Sequence, residues 1–269
     1  MSPFFREQES RQYPSKVAVG EFTARIAGWL YPTIDGGRSH KYNEKKLRRL
    51  LEMLVAPMQS RMSATTKQVV ISFFEDLSAV KHSLDLDALT IANNDPAASN
   101  MEEVVLAYPG FFAILVYRLA HRLFLSGVPL LPRMMTEYAH SHTGIDIHPG
   151  ATIGNSFFID HGTGIVIGET AIVGNNVKLY QGVTIGALNV AKALAAVKRH
   201  PTIEDNVVIY AGSTILGGNT IVGHDSIIGG NVWLTESVQP FSMVYHKSEV
   251  RIRQRAELPE QQFVLDYSI

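Results

Sequence analysis

Branched apolar residues recur at every sixth position through the second half of the chain. An amphipathic helix needs a period near 3.6 residues and a half-buried strand needs strict alternation, so a period of six fits neither. Such a period is typical of a parallel β-helix built from hexapeptide repeats, three of which close one triangular coil. The repeat positions are Ile147, Ile153, Ile159, Ile167, Val173, Leu179, Ile185, Ile203, Ile209, Ile215, Ile221, Ile227 and Trp233.

Small or branched residues stand four positions after most repeat residues, as at Ala151, Ala171 and Ser213. Glycine, asparagine or aspartate recurs beside them, and these residues tolerate the backbone angles of a tight corner. A β-sandwich with glycine turns is the ordinary alternative, but its strands would be irregularly spaced. We therefore expect each repeat residue to point into a prism.

Two interruptions break the repeat. After Ile159 the frame slips by two residues within 160–166, and after Ile185 the next clear coil begins at Ile203. Residues 186–202 are therefore expected to leave the stack as a loop. Solenoids place functional insertions where they do not disturb the core, so polar chemistry is expected near the slip and the loop.

The first half of the chain has helical periodicity instead. One apolar stripe contains Leu47, Leu50, Leu51 and Leu54, and another spans 69–77. Ser83 with Asp85 and Asp87 predicts the start of a helix that runs to about residue 93, and further helices are predicted over 109–125 and over 129–142. The sequence predicts an α+β chain: an all-helical domain over 1–143, a left-handed β-helix over 144–240 and a C-terminal tail over 241–269.

Composition narrows the function classes. A chain of 269 residues with 46% hydrophobic residues is large enough for two domains. Its net charge of −1 argues against nucleic acid as a partner. It contains no cysteine, which excludes disulfides and thiolate catalysis. The start lacks a signal-peptide pattern, and the apolar run 111–117 is too short to span a bilayer, so we expect a cytoplasmic protein without membrane contact.

Ionisable residues cluster at the interruptions. Asp146 and His161 are expected at corresponding edges of neighbouring strands. There the carboxylate would accept a hydrogen bond from the imidazole, which fixes the tautomer and leaves the other ring nitrogen free as a base. The ordinary alternative is that both are solvated corner residues. Asp160 and Asp95 are further candidate acceptors for a cationic group. Arg199 and His200 lie where the loop rejoins the prism, and we expect them to bind a carboxylate there.

Four segments together resemble bacterial serine O-acetyltransferase: Asp95-Pro96-Ala97, Asp146-Ile147-His148-Pro149, the run 160–170 and Arg199-His200-Pro201. The resemblance covers nearly the whole chain. Hexapeptide repeats occur in many acyltransferases, whereas Asp-His-Gly-Thr-Gly, Gly-Glu-Thr and Arg-His-Pro are specific.

The resemblance implies a set of roles. His161 would be the general base that takes the proton of the serine hydroxyl, and Asp146 would orient it. Asp95 and Asp160 would bind the serine ammonium group, and Arg199 with His200 the carboxylate. Acetyl-CoA would be the co-substrate, giving O-acetylserine and CoA by direct transfer in cysteine biosynthesis. L-Cysteine would be a feedback inhibitor that competes with serine.

The resemblance also implies partners. The prism would form a homotrimer with active sites between subunits, and helical domains would join two trimers. CoA would lie near the loop from Gly186 to Lys198 and the later coils. Residues 187–198 are longer and more helix-prone than the glycine-rich loop of the best-known members. The chain ends in Ile269, which in this family enters O-acetylserine sulfhydrylase; a frayed terminus without a partner is the ordinary alternative.

Three other readings stay open. A hexapeptide acyltransferase acting on a sugar or nucleotide sugar would need neither the carboxylate anchors nor Asp95. A zinc carbonic anhydrase of the same solenoid type would need three converging imidazoles. His142, His148, His161, His200 and His224 include no closely spaced pair on one strand, so no metal is expected. A purely structural solenoid would not need ionisable residues at both interruptions.

Overall fold

A computed structural model of the chain describes residues 13–36, 43–188 and 197–247. In these residues a helical region precedes a stack of parallel strands, as the periodicity predicts. The helices are α1 (Lys16–Leu30), α2 (Glu44–Val55), α3 (Thr66–Glu75), α4 (Leu77–Asn94), α5 (Met101–Ala107), α6 (Pro109–Leu125) and α7 (Leu131–Thr143), with 3₁₀ turns at Pro32–Asp35 and Ala56–Arg61.

Local sequence signals explain several of the helix boundaries. A capping box closes the start of α3: the Gln68 N–H donates to the Thr65 hydroxyl at 3.2 Å, and the Thr65 N–H donates to the Gln68 side chain at 2.8 Å. Asn100 caps α5 in a similar way. The predicted start at Ser83 is wrong, because α4 begins at Leu77. Asp87, which suggested that start, is fully buried and acts as a tertiary contact instead.

In the part of the chain that the structure describes, the strands form three parallel sheets that make the sides of a left-handed β-helix. Sheet A contains β1 (Asp146–Ile147), β4 (Val166–Ile167), β7 (Thr184–Gly186), β10 (Thr214–Leu216) and β13 (Trp233–Leu234). Sheet B contains β2 (Thr152–Ile153), β5 (Ile172–Val173), β8 (Thr202–Ile203) and β11 (Ile221–Val222). Sheet C contains β3 (Phe158–Ile159), β6 (Lys178–Leu179), β9 (Val208–Ile209), β12 (Ile227–Ile228) and β14 (Met243–Val244).

The repeat positions from Ile147 to Ile215 all point inward and are buried, which confirms the prediction for ten of them. The last three do not. Ile221 and Trp233 are 42% and 68% exposed, and the buried residues are Val222 and Ile228. Trp233 is in register with outward-facing Thr214. One extra residue after Ile215 therefore moves the inward positions by one, since neighbouring strand residues face opposite sides.

Gly217 and Gly218 account for this third shift. Gly217 has a φ of +106°, which L side chains rarely adopt. A Cβ on Gly218 would lie 2.2 Å from the backbone oxygen of Lys198. The glycines thus absorb the added residue where the returning loop crosses the coil.

The helices and the prism share one apolar core. The Tyr117 hydroxyl on α6 donates to the Ala151 carbonyl at 2.6 Å. Arg118 forms a buried ion pair with Asp87 of α4, with Nε and Oδ2 2.5 Å apart, and also donates to the Gly154 carbonyl at 2.7 Å. The Phe157 N–H donates to the same aspartate at 2.9 Å. These contacts fix α4 and α6 against the first coil and therefore position the end of α4.

Within the described ranges, no single helix is long and apolar enough to cross a membrane; α5 and α6 pass that test only as a pair bent by 78°.

Candidate functional site

The first frame slip forms the corner between β3 and β4. His161 there has a φ of +54°, and its side chain is 72% exposed. Its Nδ1 atom lies 3.5 Å from Oδ1 of Asp160. A Cβ on the next residue, Gly162, would lie 2.4 Å from the Ile145 side chain. The tight corner therefore turns the imidazole outward, beside a carboxylate.

Asp95 is the C-terminal cap of α4 and lies near this corner. Its Oδ2 accepts a hydrogen bond from the Tyr108 hydroxyl at 2.6 Å, and its Oδ1 accepts one from the Ala97 N–H at 2.8 Å. These bonds hold the pKa of Asp95 below its usual range, and His161 lowers it further. Asp95, Tyr108, Asp160 and His161 are called the acidic corner below.

Tyr108 was missed by the sequence reasoning. It precedes Pro109 at the start of α6, and its hydrogen bond to Asp95, with a smaller contribution from Asp160, raises its pKa to about 12. The hydroxyl therefore stays protonated and remains a donor. Only its location, between Asp95 and an apolar helix, offered a signal in the sequence.

Asp146 is not bonded to His161 in the described part of the chain. It is the first residue of β1 and faces outward, and its Oδ1 accepts a hydrogen bond from Nη1 of Arg133 on α7 at 3.2 Å. Arg133 also pairs with Glu137. Within the residues that the structure describes, His161 pairs with the carboxylate of Asp160. The orienting role of Asp146 therefore stays a prediction.

The corner between β4 and β5 holds the other two predicted anchors. Arg199 forms an ion pair with Glu169. Nδ1 of His200 lies 3.0 Å from the Thr170 backbone nitrogen and 2.8 Å from the Thr170 hydroxyl. The same hydroxyl accepts the N–H groups of Arg199 at 2.9 Å and His200 at 3.1 Å.

Arg199, His200, Glu169 and Thr170 are called the basic corner below. Burial, Arg199 and Lys198 together lower the pKa of His200 to about 4. Sequence reasoning gave no role to Glu169 or Thr170. Glu169 and Thr170 follow Ile167 at the corner that meets the returning loop. This position beside the loop was the one sequence signal that pointed to them.

The two corners stand at different edges of the prism. The acidic corner joins sheet C to sheet A, whereas the basic corner joins sheet A to sheet B. One whole face, sheet A, therefore separates His161 from His200 in a single chain. Asp95, Asp160 and His161 come together, and so do Arg199 and His200.

Both ends of the extruded loop are described, while residues 189–196 lie outside the described residues. At one end, Gly186 accepts a hydrogen bond from the Gly217 N–H at 3.2 Å. At the other, the Lys198 ammonium donates to the carbonyls of Thr170 at 3.0 Å, Pro201 at 3.2 Å and also His200. The expected CoA contacts of this loop stay a prediction.

Within the described residues, one group of carboxylates and imidazoles has metal-ligand spacing: Glu137, His140 and Asp146. Arg133 pairs with both carboxylates of this group. The group contains one imidazole, so it does not supply the three histidines that a carbonic-anhydrase-like zinc site needs.

No family model matches the chain, but curated proteins are similar to it over much of its length. It is 49% identical over 197 residues to a plasmid-encoded serine acetyltransferase of Synechococcus elongatus, covering 71% of this chain and 60% of that protein. It is 46% identical over 160 residues to the serine acetyltransferase of Bacillus subtilis, covering 60% of this chain and 70% of that protein. The matches span 52% to 60% of the length of the first three curated relatives.

A solved structure is similar over most of the chain. Serine acetyltransferase isoform 3 of Entamoeba histolytica, crystallised in complex with cysteine, superposes with a TM-score of 0.75 at 33% identity. The superposition covers 91% of this chain and 86% of that chain. The likeness therefore includes the helical region as well as the prism.

Proposed function

Because the chain belongs to the serine acetyltransferase family, we propose that it transfers the acetyl group of acetyl-CoA to the hydroxyl of L-serine, giving O-acetylserine for cysteine biosynthesis. The family membership rests on identity that extends over two thirds or more of a curated relative and of a solved structure.

The observation that carries the proposal is the pair of corners, one with carboxylates beside an exposed imidazole and the other with an arginine and a histidine. A serine zwitterion has an ammonium group at one end and a carboxylate at the other. Asp95 and Asp160 supply anions beside the exposed His161, and Arg199 with His200 supplies donors for a carboxylate. A sugar acceptor has neither charged end and gives no reason for both corners.

A complete site takes its two corners from two copies of the chain. Sheet A separates the corners within one copy, so an acidic corner completes a site only beside the basic corner of a neighbour. Sheet A also exposes apolar side chains, with Val166 38% and Trp233 68% exposed. A homotrimer packed through prism faces buries such side chains, and its three-fold axis repeats the site at each interface. Helical domains then join two trimers.

His161 acts as the general base in this mechanism. With its Nδ1 hydrogen directed at Asp160, its Nε2 lone pair takes the proton of the serine hydroxyl. The hydroxyl oxygen attacks the thioester carbonyl of acetyl-CoA, and the tetrahedral intermediate collapses with loss of the CoA thiolate. The imidazolium returns the proton to the leaving sulfur. Direct transfer suits a chain without cysteine.

Acetyl-CoA would lie along the cleft beside the loop 186–198 and the later coils and would contact backbone amides there. L-Cysteine differs from serine only in its thiol, so it would bind the same corners and compete with serine; the similar Entamoeba structure contains cysteine. The cytoplasm is the proposed location. O-Acetylserine sulfhydrylase is the proposed partner, through Ile269, which lies outside the described residues.

The test is an assay of the full chain with acetyl-CoA and L-serine in which the released CoA thiol is detected. We expect serine-dependent thiol release that the His161→Ala variant lacks. A panel of sugar and nucleotide-sugar acceptors is assayed in parallel. Thiol release with a sugar and none with serine would replace the proposal by the sugar acyltransferase.

A further inference from the structure

The His200 ring is held in one orientation by its surroundings. The residue is 7% exposed, and the ring lies across Gly168. A Cβ built on Gly168 would lie 2.0 Å from Nε2 and 2.0 Å from Cδ2 of the ring. No residue other than glycine leaves room for the imidazole there.

The contacts of Nδ1 determine which ring nitrogen carries the hydrogen. The Thr170 backbone N–H can only donate, and it lies 3.0 Å from Nδ1, so Nδ1 must accept. The Thr170 hydroxyl oxygen accepts the N–H groups of Arg199 and His200, which leaves its own hydrogen to donate to Nδ1 at 2.8 Å. The hydrogen of the neutral ring therefore lies on Nε2.

The surroundings also keep the ring uncharged. Burial is the largest cause of the low pKa of His200; Arg199, Lys198 and His148 lower it further, and Glu169 opposes them. Among residues 13–36, 43–188 and 197–247, no acceptor forms a hydrogen bond with Nε2, and both hydrogen bonds of the ring are made by Nδ1. A buried donor without an acceptor is costly, so this one points to an acceptor on a ligand.

We propose that Thr170 is a positioning residue that fixes His200 as a neutral Nε2–H donor, and that His200 gives the serine carboxylate a hydrogen bond and no charge. The charge facing the carboxylate then comes from Arg199, held in place by Glu169. The carboxylate assignment rests on the proposed function, whereas the tautomer does not.

Nitrogen-15 NMR of histidine-labelled full chain reads the tautomer without any assay. The His200 signals are identified by their loss in His200→Gln. We expect one protonated nitrogen, Nε2, between about pH 6 and pH 8. We also expect Thr170→Val to move the Nδ1 signal, because Nδ1 loses its hydroxyl donor. A hydrogen on Nδ1, or on both nitrogens, in the unmodified chain would overturn the proposal.

Steady-state kinetics then separate a donor from a cation. His200→Ala should raise KM for serine on the order of 10- to 100-fold, because a hydrogen bond to a charged group is lost. His200→Gln, whose amide places an N–H near the position of Nε2, should lose less. His200→Lys, which restores a charge without that geometry, should not recover activity. Recovery by lysine and not by glutamine would contradict the neutral donor.

Thr170 is tested by a matched pair of variants. Thr170→Val removes the hydroxyl and should raise KM for serine more than KM for acetyl-CoA, whereas Thr170→Ser keeps the hydroxyl and should lose less. Thr152→Val, an exposed threonine on the neighbouring strand β2, is the control. Equal losses in Thr170→Val and Thr170→Ser would remove the positioning role. If the unmodified chain fails to acetylate serine, the proposed function fails while the NMR result still decides the tautomer.

Discussion

The acidic and basic corners place one histidine each in opposite settings. The His161 side chain is 72% exposed at a left-handed corner, with one carboxylate 3.5 Å away. His200 is 7% exposed and bonded through Nδ1 to Thr170. A base must reach its substrate and exchange protons, whereas an anchor must keep one orientation. Under the proposed function, the difference in exposure suits His161 to the role of the base and His200 to that of an anchor for the carboxylate.

Removing the exposed histidine should have the largest effect. His161→Ala is expected to lower kcat about 10²- to 10⁴-fold, because a positioned general base is lost. The exposed side chain contributes little packing, so the melting temperature should stay close to that of the unmodified chain. Steady-state rates at saturating serine and acetyl-CoA measure the effect.

His224→Ala is the matched control, since His224 also has an exposed ring at a corner of the prism but lies outside both charged corners. Its kcat should be unchanged. A near-normal kcat in folded His161→Ala would show that the exposed histidine is not the base.

Removing the arginine of the basic corner should affect binding instead. Arg199→Ala is expected to raise KM for serine on the order of 10- to 100-fold and KM for acetyl-CoA much less, because a charged hydrogen bond to the carboxylate is lost. Arg48→Ala, on α2 and paired with Glu44 at the surface, is the control. Equal rises in the KM for serine and the KM for acetyl-CoA would indicate that Arg199 contacts acetyl-CoA instead of the serine carboxylate.

A smaller effect is expected in the acidic corner from Tyr108→Phe. The variant keeps the ring but removes the 2.6 Å hydrogen bond that orients Asp95. One lost hydrogen bond predicts a rise in KM for serine of roughly 3- to 10-fold. Exposed Tyr13→Phe serves for comparison. If KM for serine does not change in Tyr108→Phe, Asp95 is positioned without the hydroxyl.

The smallest effect is a pH dependence of stability. The pKa of His200 is lowered to about 4, and the pKa values of His121 and His148 are also lowered, chiefly by burial. The unfolded chain therefore binds protons first as the pH falls below about 6.5, so stability is lost between about pH 6.5 and pH 4. Calorimetry should find the melting temperature lower at about pH 5 than at pH 7 by a few degrees.

His200→Gln should make that decrease smaller, because one of the three titrating groups is gone. A melting temperature that rises on acidification over this range would contradict the assignment of the neutral, buried rings.

Period and spacing predicted the fold well for physical reasons. Each coil must place an apolar residue inside, so the positions from Ile147 to Ile215 are visible in the sequence. The six-residue period is lost after Ile215, because the chain contains one extra residue at Gly217 and Gly218. How the coil accommodates that residue depends on the loop that crosses it, which the period does not show. Asp87 resembles an acidic residue in the first turn of a helix. Its actual partner, Arg118, lies 31 positions further along the chain, so no local pattern reveals the ion pair.

The candidate site was predictable in part. His161, Asp160 and Arg199 lie at interruptions of the repeat, which local sequence reveals. Tyr108 and Thr170 act through contacts across 13 and 30 positions with Asp95 and His200, and no local pattern encodes those contacts. The expected hydrogen bond between Asp146 and His161 depended on the direction of side chains at a corner, which the sequence does not show. In the structure Arg133 of α7 donates to the Asp146 carboxylate.

Mixing two impaired variants tests most directly whether each site joins corners from two copies. His161→Ala and Arg199→Ala chains are unfolded together, refolded as mixed oligomers, and assayed with acetyl-CoA at a serine concentration well below the KM for serine, where both variants turn over slowly. Random assembly should place an intact acidic corner beside an intact basic corner at about a quarter of the interfaces and restore that share of the unmodified chain's rate. Each variant refolded alone should keep the low rate of that variant. Mixed oligomers no faster than the separate variants would show that each site lies within one chain, contrary to the separation of the corners by sheet A.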